Sequence, residues 1–391
     1  MASNTAEKSK KILSASVFAG MVFLSSIMAV QGALLSSIIS HYNLSSSNQG
    51  FATLFSSFGG MVAFVLTLLL VGRIRKTRLL LFGFAIVAVL LFFLASLPPF
   101  PVFIAIWFFA GIGLGFMDAL LSSVIADLYT GPASTKIMCM LHATFGITSM
   151  VFPILCSVLL NNGFLWSHIY ILIAVYGILL VGFTIFADLI SGKGSSVNAE
   201  KHLSFSDFRA VLSSSSLGLF ILGMLLHGFF LSGLNTWVNF YVGTTLGSSI
   251  GGAAQSFLFA GILISRLLFP YTGIEPGKYI RICGILSAVC LLAVLPFSSG
   301  LVACIGVALS GLCFGAMIPC MLNLACEDNP NNTLLTTSLM MLALYLGQGS
   351  ASPVLGFFES TVGLRFGLVL CAVCMVLASL TFHLKLKGRK E

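Results

Sequence analysis

The sequence is built from apolar runs of about twenty residues or more, separated by short turn-forming clusters. A bilayer hydrocarbon core about 30 Å thick takes about 20 apolar residues per helix. Inside it, every backbone N–H and C=O must be satisfied within a helix or a closed barrel. Barrel strands would alternate apolar and polar residues over about ten positions; these runs do not alternate, so they are read as helices. The breakers lie at 43–48, 98–101, 130–132, 161–163, 298–300 and 329–332, where Asn, Ser, Pro and Gly gather. They delimit helices expected at 12–40, 50–72, 79–97, 102–127, 135–160, 167–190, 217–242, 250–270, 279–297, 301–326, 333–358 and 364–385. The expected fold is an all-α polytopic membrane protein with twelve transmembrane helices in two six-helix bundles.

Composition agrees. Of 391 residues, 58% are hydrophobic and 8% charged, against about 25% charged in a soluble globular chain. This excludes a soluble enzyme and a nucleic-acid-binding domain, so no nucleic acid is expected among the partners. The net charge of +8 is a topology signal, because the basic residues sit between apolar runs. With the N-terminus inside, eighteen of the nineteen Lys and Arg residues fall on the cytoplasmic side, Arg365 alone lying outside. Both termini are therefore expected in the cytoplasm. Lys8, Lys10 and Lys11 precede an apolar stretch far longer than a signal-peptide core, so no cleavable signal is expected. The short loops point to a multi-pass protein of the cell (cytoplasmic) membrane.

Enzyme signatures are absent from the sequence. There is no His-Glu-x-x-His, no phosphate-cradling loop before Lys-Ser/Thr and no Cys/His cluster with metal spacing. The ten cysteines lie inside apolar runs and read as small apolar residues, Cys371-x-x-Cys374 included. No resident cofactor is expected; a co-transported proton or sodium ion is.

The longest polar stretch, 191–216, divides the chain into an N-terminal bundle (1–190) and a C-terminal bundle (217–391). Phe205, Phe208, Val211 and Leu212 fall on one side of a helix in that stretch. It is read as a cytoplasmic linker with an interfacial helix, a plain tether being the alternative. The two halves also echo each other. Gly111-x-x-x-Gly115 and Asp127 in the fourth helix, with Pro153 in the fifth, recur 200 positions later as Gly311-x-x-x-Gly315, Glu327 and Pro353. Parallel six-helix repeats are a plan in which the solute sits between the halves at mid-membrane.

The 6 + 6 layout, the long central loop and the basic run Gly72-Arg73-Ile74-Arg75-Lys76-Thr77-Arg78 together resemble the major facilitator superfamily of transporters. The segments 111–119 and 141–147 are similar to the branch holding the L-fucose permease and the sodium-dependent glucose transporter relatives. Three departures stand out: no acid precedes the basic run, Ser122 stands where members often carry Asn, and Gly233 stands where an acid commonly precedes Trp237. The resemblance implies alternating access, with helices one, four, seven and ten lining a central cavity. It also implies gating or structural roles for Arg73 and Arg75 in the loop after helix two.

An ionisable group within the bilayer is expensive and marks function by default. Asp118 lies about 26 Å along its helix from the outer end, at 1.5 Å per residue, and shares one face with Gly111, Gly115 and Ser122. It is read as a coupling carboxylate that shares a proton with His142; a structural carboxylate and a satisfied buried histidine are the alternatives. Gln31, Asn235, Asn239, Asn323 and Gln348 offer amides, and Trp237 an aromatic face, to a polyhydroxyl solute. The alternative is that the amides join helices and Trp237 belongs to an interfacial belt. His227 and Ser122 complete the candidate solute contacts. Arg266 is expected to cap helix carbonyls or to pair with an acid, snorkelling to the interface being the alternative, while Asp127, Glu327 and Asp328 form charge pairs at the cytoplasmic face. Asp188 and Glu359 read as interfacial.

The leading reading is a monomeric, cation-coupled symporter of a small polar solute, a monosaccharide being the type example. The 35 Phe and 14 Met residues also fit an efflux carrier for amphipathic compounds. A non-transporting membrane sensor or scaffold is the reading from another class.

Overall fold

A computed structural model describes residues 2–44, 46–70, 73–129, 131–191, 217–329 and 333–388. The expected linker helix at 205–212 lies outside them. The described chain is all-α: α1 Ala2–Ala33, α2 Leu35–Tyr42, α3 Ser46–Leu70, α4 Lys76–Ala95, α5 Phe100–Leu128, α6 Gly131–Asn161, α7 Trp166–Ser191, α8 Leu217–Phe240, α9 Ala254–Leu268, α10 Pro276–Val294, α11 Gly300–Phe314, α12 Met317–Asp328, α13 Thr333–Thr361 and α14 Leu364–Gly388. Eleven segments among the described residues are long and apolar enough to cross a membrane. α13 is not among the eleven; it carries Thr336, Thr337, Ser338, Gln348, Ser350, Ser352 and Glu359.

Two helices expected to be continuous are broken. The first turns at Leu34, where Gly32 lies against the Asn235 carbonyl and the Gln255 amide. The tenth breaks between α11 and α12 at Gly315–Ala316. Pro319 explains this break: with no N–H it cannot bond the Gly315 carbonyl one turn back. The seventh helix ends in a π-helical turn, Tyr241–Thr245.

Packing repeats between the halves. α3 with α5, α4 with α5 and α4 with α7 pair as α9 with α11, α10 with α11 and α10 with α14 do; α1 with α6 and α7 matches α8 with α13 and α14. Small residues set this geometry. A Cβ on Gly111 would overlap the Ser56 carbonyl, and one on Gly311 the Leu258 carbonyl. In lipid there is no hydrophobic gain from helix–helix contact, so such close backbone approach is what holds the helices together. The buried side chains form two large clusters. One draws on residues 17–180, including Phe23, Phe84 and Trp107; the other joins Leu35 to residues 220–382, including Phe230, Met317 and Phe382. Outward faces are apolar, with Phe93, Leu179, Leu189 and Phe366 more than half exposed.

The halves touch through α3 against α13, α6 against α9 and α1 against α8. Toward one end these contacts are tight. Gly50 lies on the Ser352–Pro353 backbone, Gly349 on Ser57, and Gly252 on Ser157. Toward the other end, which carries the 73–78 loop, the halves part around a cavity.

Candidate functional site

The cavity has a volume of about 490 Å³, within the usual range for small-molecule sites. α1, α3, α5, α6, α8, α9, α11, α12 and α13 line it, and α4 adds only Lys76 at the mouth. α7, α10 and α14 contribute no lining residue among those described. The lining residues recur at helical spacing. Thr53, Ser56, Ser57, Phe64, Thr67 and Leu68 form one face of α3; Thr337, Ser338, Met341, Leu344, Tyr345 and Gln348 form one face of α13.

Seven of the expected solute contacts line this space: Gln31, Asp118, Ser122, His142, His227, Asn235 and Gln348. Asp118 is half-buried on the cavity wall. Its partner corrects the expected Asp118–His142 pair: Tyr345 Oη donates to Asp118 Oδ2 at 3.0 Å, and His142 Nε2 stands 3.5 Å from Ser122 Oγ instead. Ser122 is one turn beyond Asp118, so His142, entering on α6, meets the lower side chain. Gly111 and Gly115 share the Asp118 face as expected, but they pack on Ser56 and Gly60 of α3.

Three expected contacts lie elsewhere. Trp237 is fully buried and its Nε1 donates to Ser352 Oγ at 3.0 Å. Its position on α8 is turned away from the lining face formed by His227, Leu231, Ser232 and Asn235. Asn239 is in phase with that face but lies past the closed end; its Oδ1 accepts from the Gln255 N–H at 2.7 Å. Asn323 is exposed and donates to Glu327 Oε1 at 3.1 Å. Of the three lining amides, Asn235 Oδ1 accepts from Gln255 Nε2 at 2.7 Å, leaving its own N–H₂ for another acceptor. Gln31 and Gln348 make no hydrogen bond among the described residues.

Arg266 reaches the break between α11 and α12. Its Nε donates to the Gly315 carbonyl at 3.0 Å, the group that Pro319 leaves without a helical donor. Tyr279 braces the same break: its hydroxyl donates to the Cys313 carbonyl at 2.6 Å and accepts from the Ala316 N–H at 3.3 Å. Arg266 lines the cavity with Asp118, His142 and His227 yet forms no ion pair among the described residues.

Two charge pairs stand at the end that carries the 73–78 loop, both within the N-terminal half. Lys76 Nζ lies 3.0 Å from Asp127 Oδ2 and donates to Ser123 Oγ at 2.7 Å. Arg75 is bidentate on Asp188, at 3.0 and 3.3 Å, and Thr77 Oγ1 adds a third bond at 2.8 Å. Asp188 is therefore mostly buried, at 17% side-chain exposure. α7 thus supplies the acid that the sequence lacks ahead of the basic run. Arg73 is exposed. Sequence reasoning missed Tyr345 and the hydroxyl faces of α3 and α13, although hydroxyls recurring every three to four residues in an apolar run are a readable sign.

The sequence profile of the Major Facilitator Superfamily matches residues 17–333. Curated relatives include the Protein TsgA homologs of Buchnera aphidicola, strain Tuc7, 24% identical over 57% of this chain and 56% of theirs, and of Edwardsiella ictaluri, 25% identical over 59% and 58%. The chain thus spans somewhat over half the length of the curated relatives it matches. Among solved structures, a bacterial homolog of the human lysosomal transporter Spinster, inward-facing and unoccupied, superposes with a TM-score of 0.76 at 14% identity, covering 98% of this chain and 97% of that one. The E. coli xylose transporter XylE, partially occluded and inward open, gives 0.72 at 14% identity over 95% and 97%. The nucleoside transporter NupG gives 0.72 at 14% identity over 96% and 99%. At this identity the likeness establishes the shared fold.

Proposed function

Because the chain belongs to the Major Facilitator Superfamily of membrane transporters, we propose that it is a secondary transporter that moves a small polar solute by alternating access, coupled to a cation through Asp118. α13 completes twelve spans, in bundles 1–190 and 217–391 joined by the 191–216 linker. Both termini are cytoplasmic, the protein acts as a monomer in the cytoplasmic membrane, and the cavity, open toward the 73–78 loop, faces inward. The observation that carries this reading is the Asp118–Tyr345 hydrogen bond. It places an ionisable group on the cavity wall and ties one half to the other. Protonation of Asp118 removes the charge that strengthens that bond, so binding a proton there biases the equilibrium between cavity states.

Three amides and a row of hydroxyls facing the cavity favour a hydroxyl-bearing solute, and a monosaccharide fits this description. Phe64, Phe145, Phe259, Phe314, Met21, Met28 and Met341 make up much of the remaining wall. They are the observation that favours the second reading, efflux of amphipathic compounds. Proteoliposome counterflow distinguishes the two. The polar reading predicts exchange of a labelled sugar or sugar derivative and an uptake that grows with an imposed proton or sodium gradient. Exchange of lipophilic cations alone would overturn it in favour of efflux.

A further inference from the structure

The Arg266 guanidinium is held by its Nε on the Gly315 carbonyl, which leaves the two Nη groups of this cavity-lining residue uncommitted. They make no hydrogen bond among the described residues. The other cation at the cavity, Lys76, is already engaged by Asp127 and Ser123. The carboxylate on the wall, Asp118, takes its hydrogen bond from Tyr345. Arg266 and Asp118 line the same cavity and form no ion pair with each other among the described residues, so a cation and a carboxylate share one space. Phe314, the residue before Gly315, meets the His227 ring edge-on with centroids 5.6 Å apart, and the ring is wholly buried at the cavity wall. Both its nitrogens lack a hydrogen-bond partner. Buried polar atoms are nearly always bonded, so an orphaned ring that shares the cavity with an uncommitted guanidinium marks a place where a ligand supplies the missing acceptor.

We propose that Arg266 and His227 form a carboxylate subsite, and that the transported solute is a small hydroxy-acid of the aldonate or uronate class. This deepens the polar-solute reading above and rests on it. The planar guanidinium presents paired N–H donors that match a carboxylate. The amides Gln31, Asn235 and Gln348 remain for the hydroxyls of the same molecule. The charges fit coupled movement. With Asp118 protonated the site is net positive and takes the anion. When Asp118 loses its proton to water, its carboxylate repels the solute and competes for Arg266. Each cycle then carries one anion with one proton. His142, bonded to Ser122 on the same wall, completes the titratable groups around this space together with Lys76 and Asp127 at the mouth.

The test uses the purified full-length protein, with binding read by thermal shift and exchange read by proteoliposome counterflow. The probes are D-gluconate, D-glucuronate and D-glycerate, set against D-glucose, D-glucitol and glycerol. The expected result is stabilisation and exchange by acids only, with affinity lost about tenfold or more in R266Q, as for a charged hydrogen bond. H227F keeps the packing on Phe314 and should weaken acid binding several-fold without lowering the Tm of the free protein; this arm stands even if R266Q fails to fold. Neutral polyols binding as tightly as the acids, or unchanged acid binding in H227F and R266Q, would overturn the carboxylate subsite and leave the polar-solute carrier standing. Failure of both probe sets to bind or exchange would overturn both.

Discussion

Tyr345 Oη donates to Asp118 Oδ2 at 3.0 Å, joining α5 of one half to α13 of the other across 227 positions of sequence. A bond to a charged group contributes about 1.5–3 kcal/mol, and this one exists only while the halves are close at that level. D118N should abolish concentrative uptake while sparing counterflow, because exchange needs no net proton release. Y345F should retain both activities but shift the conformational equilibrium by about tenfold or more. Full gradient-driven uptake by D118N would remove Asp118 from coupling.

Arg75 and Asp188 tie the start of α4 to the end of α7. Their side chains are 23% and 17% exposed, so the pair lies between a surface bridge and a buried one. A double-mutant cycle with R75A and D188A should give a coupling energy of about 1–3 kcal/mol in thermal unfolding. Additive effects would mean that the bidentate contact contributes nothing.

The glycines divide by what faces them. Gly111 and Gly311 abut carbonyls of neighbouring helices, whereas nothing lies within 4 Å of a Cβ at Gly182 on α7. G111A and G311A should each lower the Tm and reduce transport by prising α3 from α5 and α9 from α11. G182A should raise stability by about 0.5–1 kcal/mol through helix propensity. Equal tolerance at all three positions would contradict the packing account.

Pro319 predicts a linked change. P319A restores an N–H that can take the Gly315 carbonyl, displacing Arg266 Nε. Hydrogen exchange over 315–320 should slow as the break closes, and transport should fall. Unaltered exchange there would show that Pro319 does not cause the break.

How much of this the sequence carried follows from the range of the forces involved. Run length and breakers located the helices, and the matched pairs Gly111/Gly311 and Pro153/Pro353 reflected the repeated packing, since both depend on local spacing. The kink at Gly315 was written in Pro319 yet needed the orphan carbonyl to be followed to Arg266. Partners from remote helices were not legible: nothing near Asp118 indicates Tyr345, and nothing near Arg75 indicates Asp188. Trp237 and Asn239 were misassigned for separate reasons. One is out of phase with the lining face of α8, and the other lies beyond the closed end of the cavity, a limit set by the Gly32, Gly50 and Gly252 contacts.

The central claim is that two repeats rock about one cavity, closed at one end when open at the other. Electron–electron distance measurements test it with spin labels at exposed Asn48 and Phe357 near the closed end, and at exposed Leu69 and Asn323 near the open end. Across acidic and alkaline pH the account predicts two populations in which the first distance lengthens as the second shortens. A single population at both ends, or distances that change in the same direction, would contradict it.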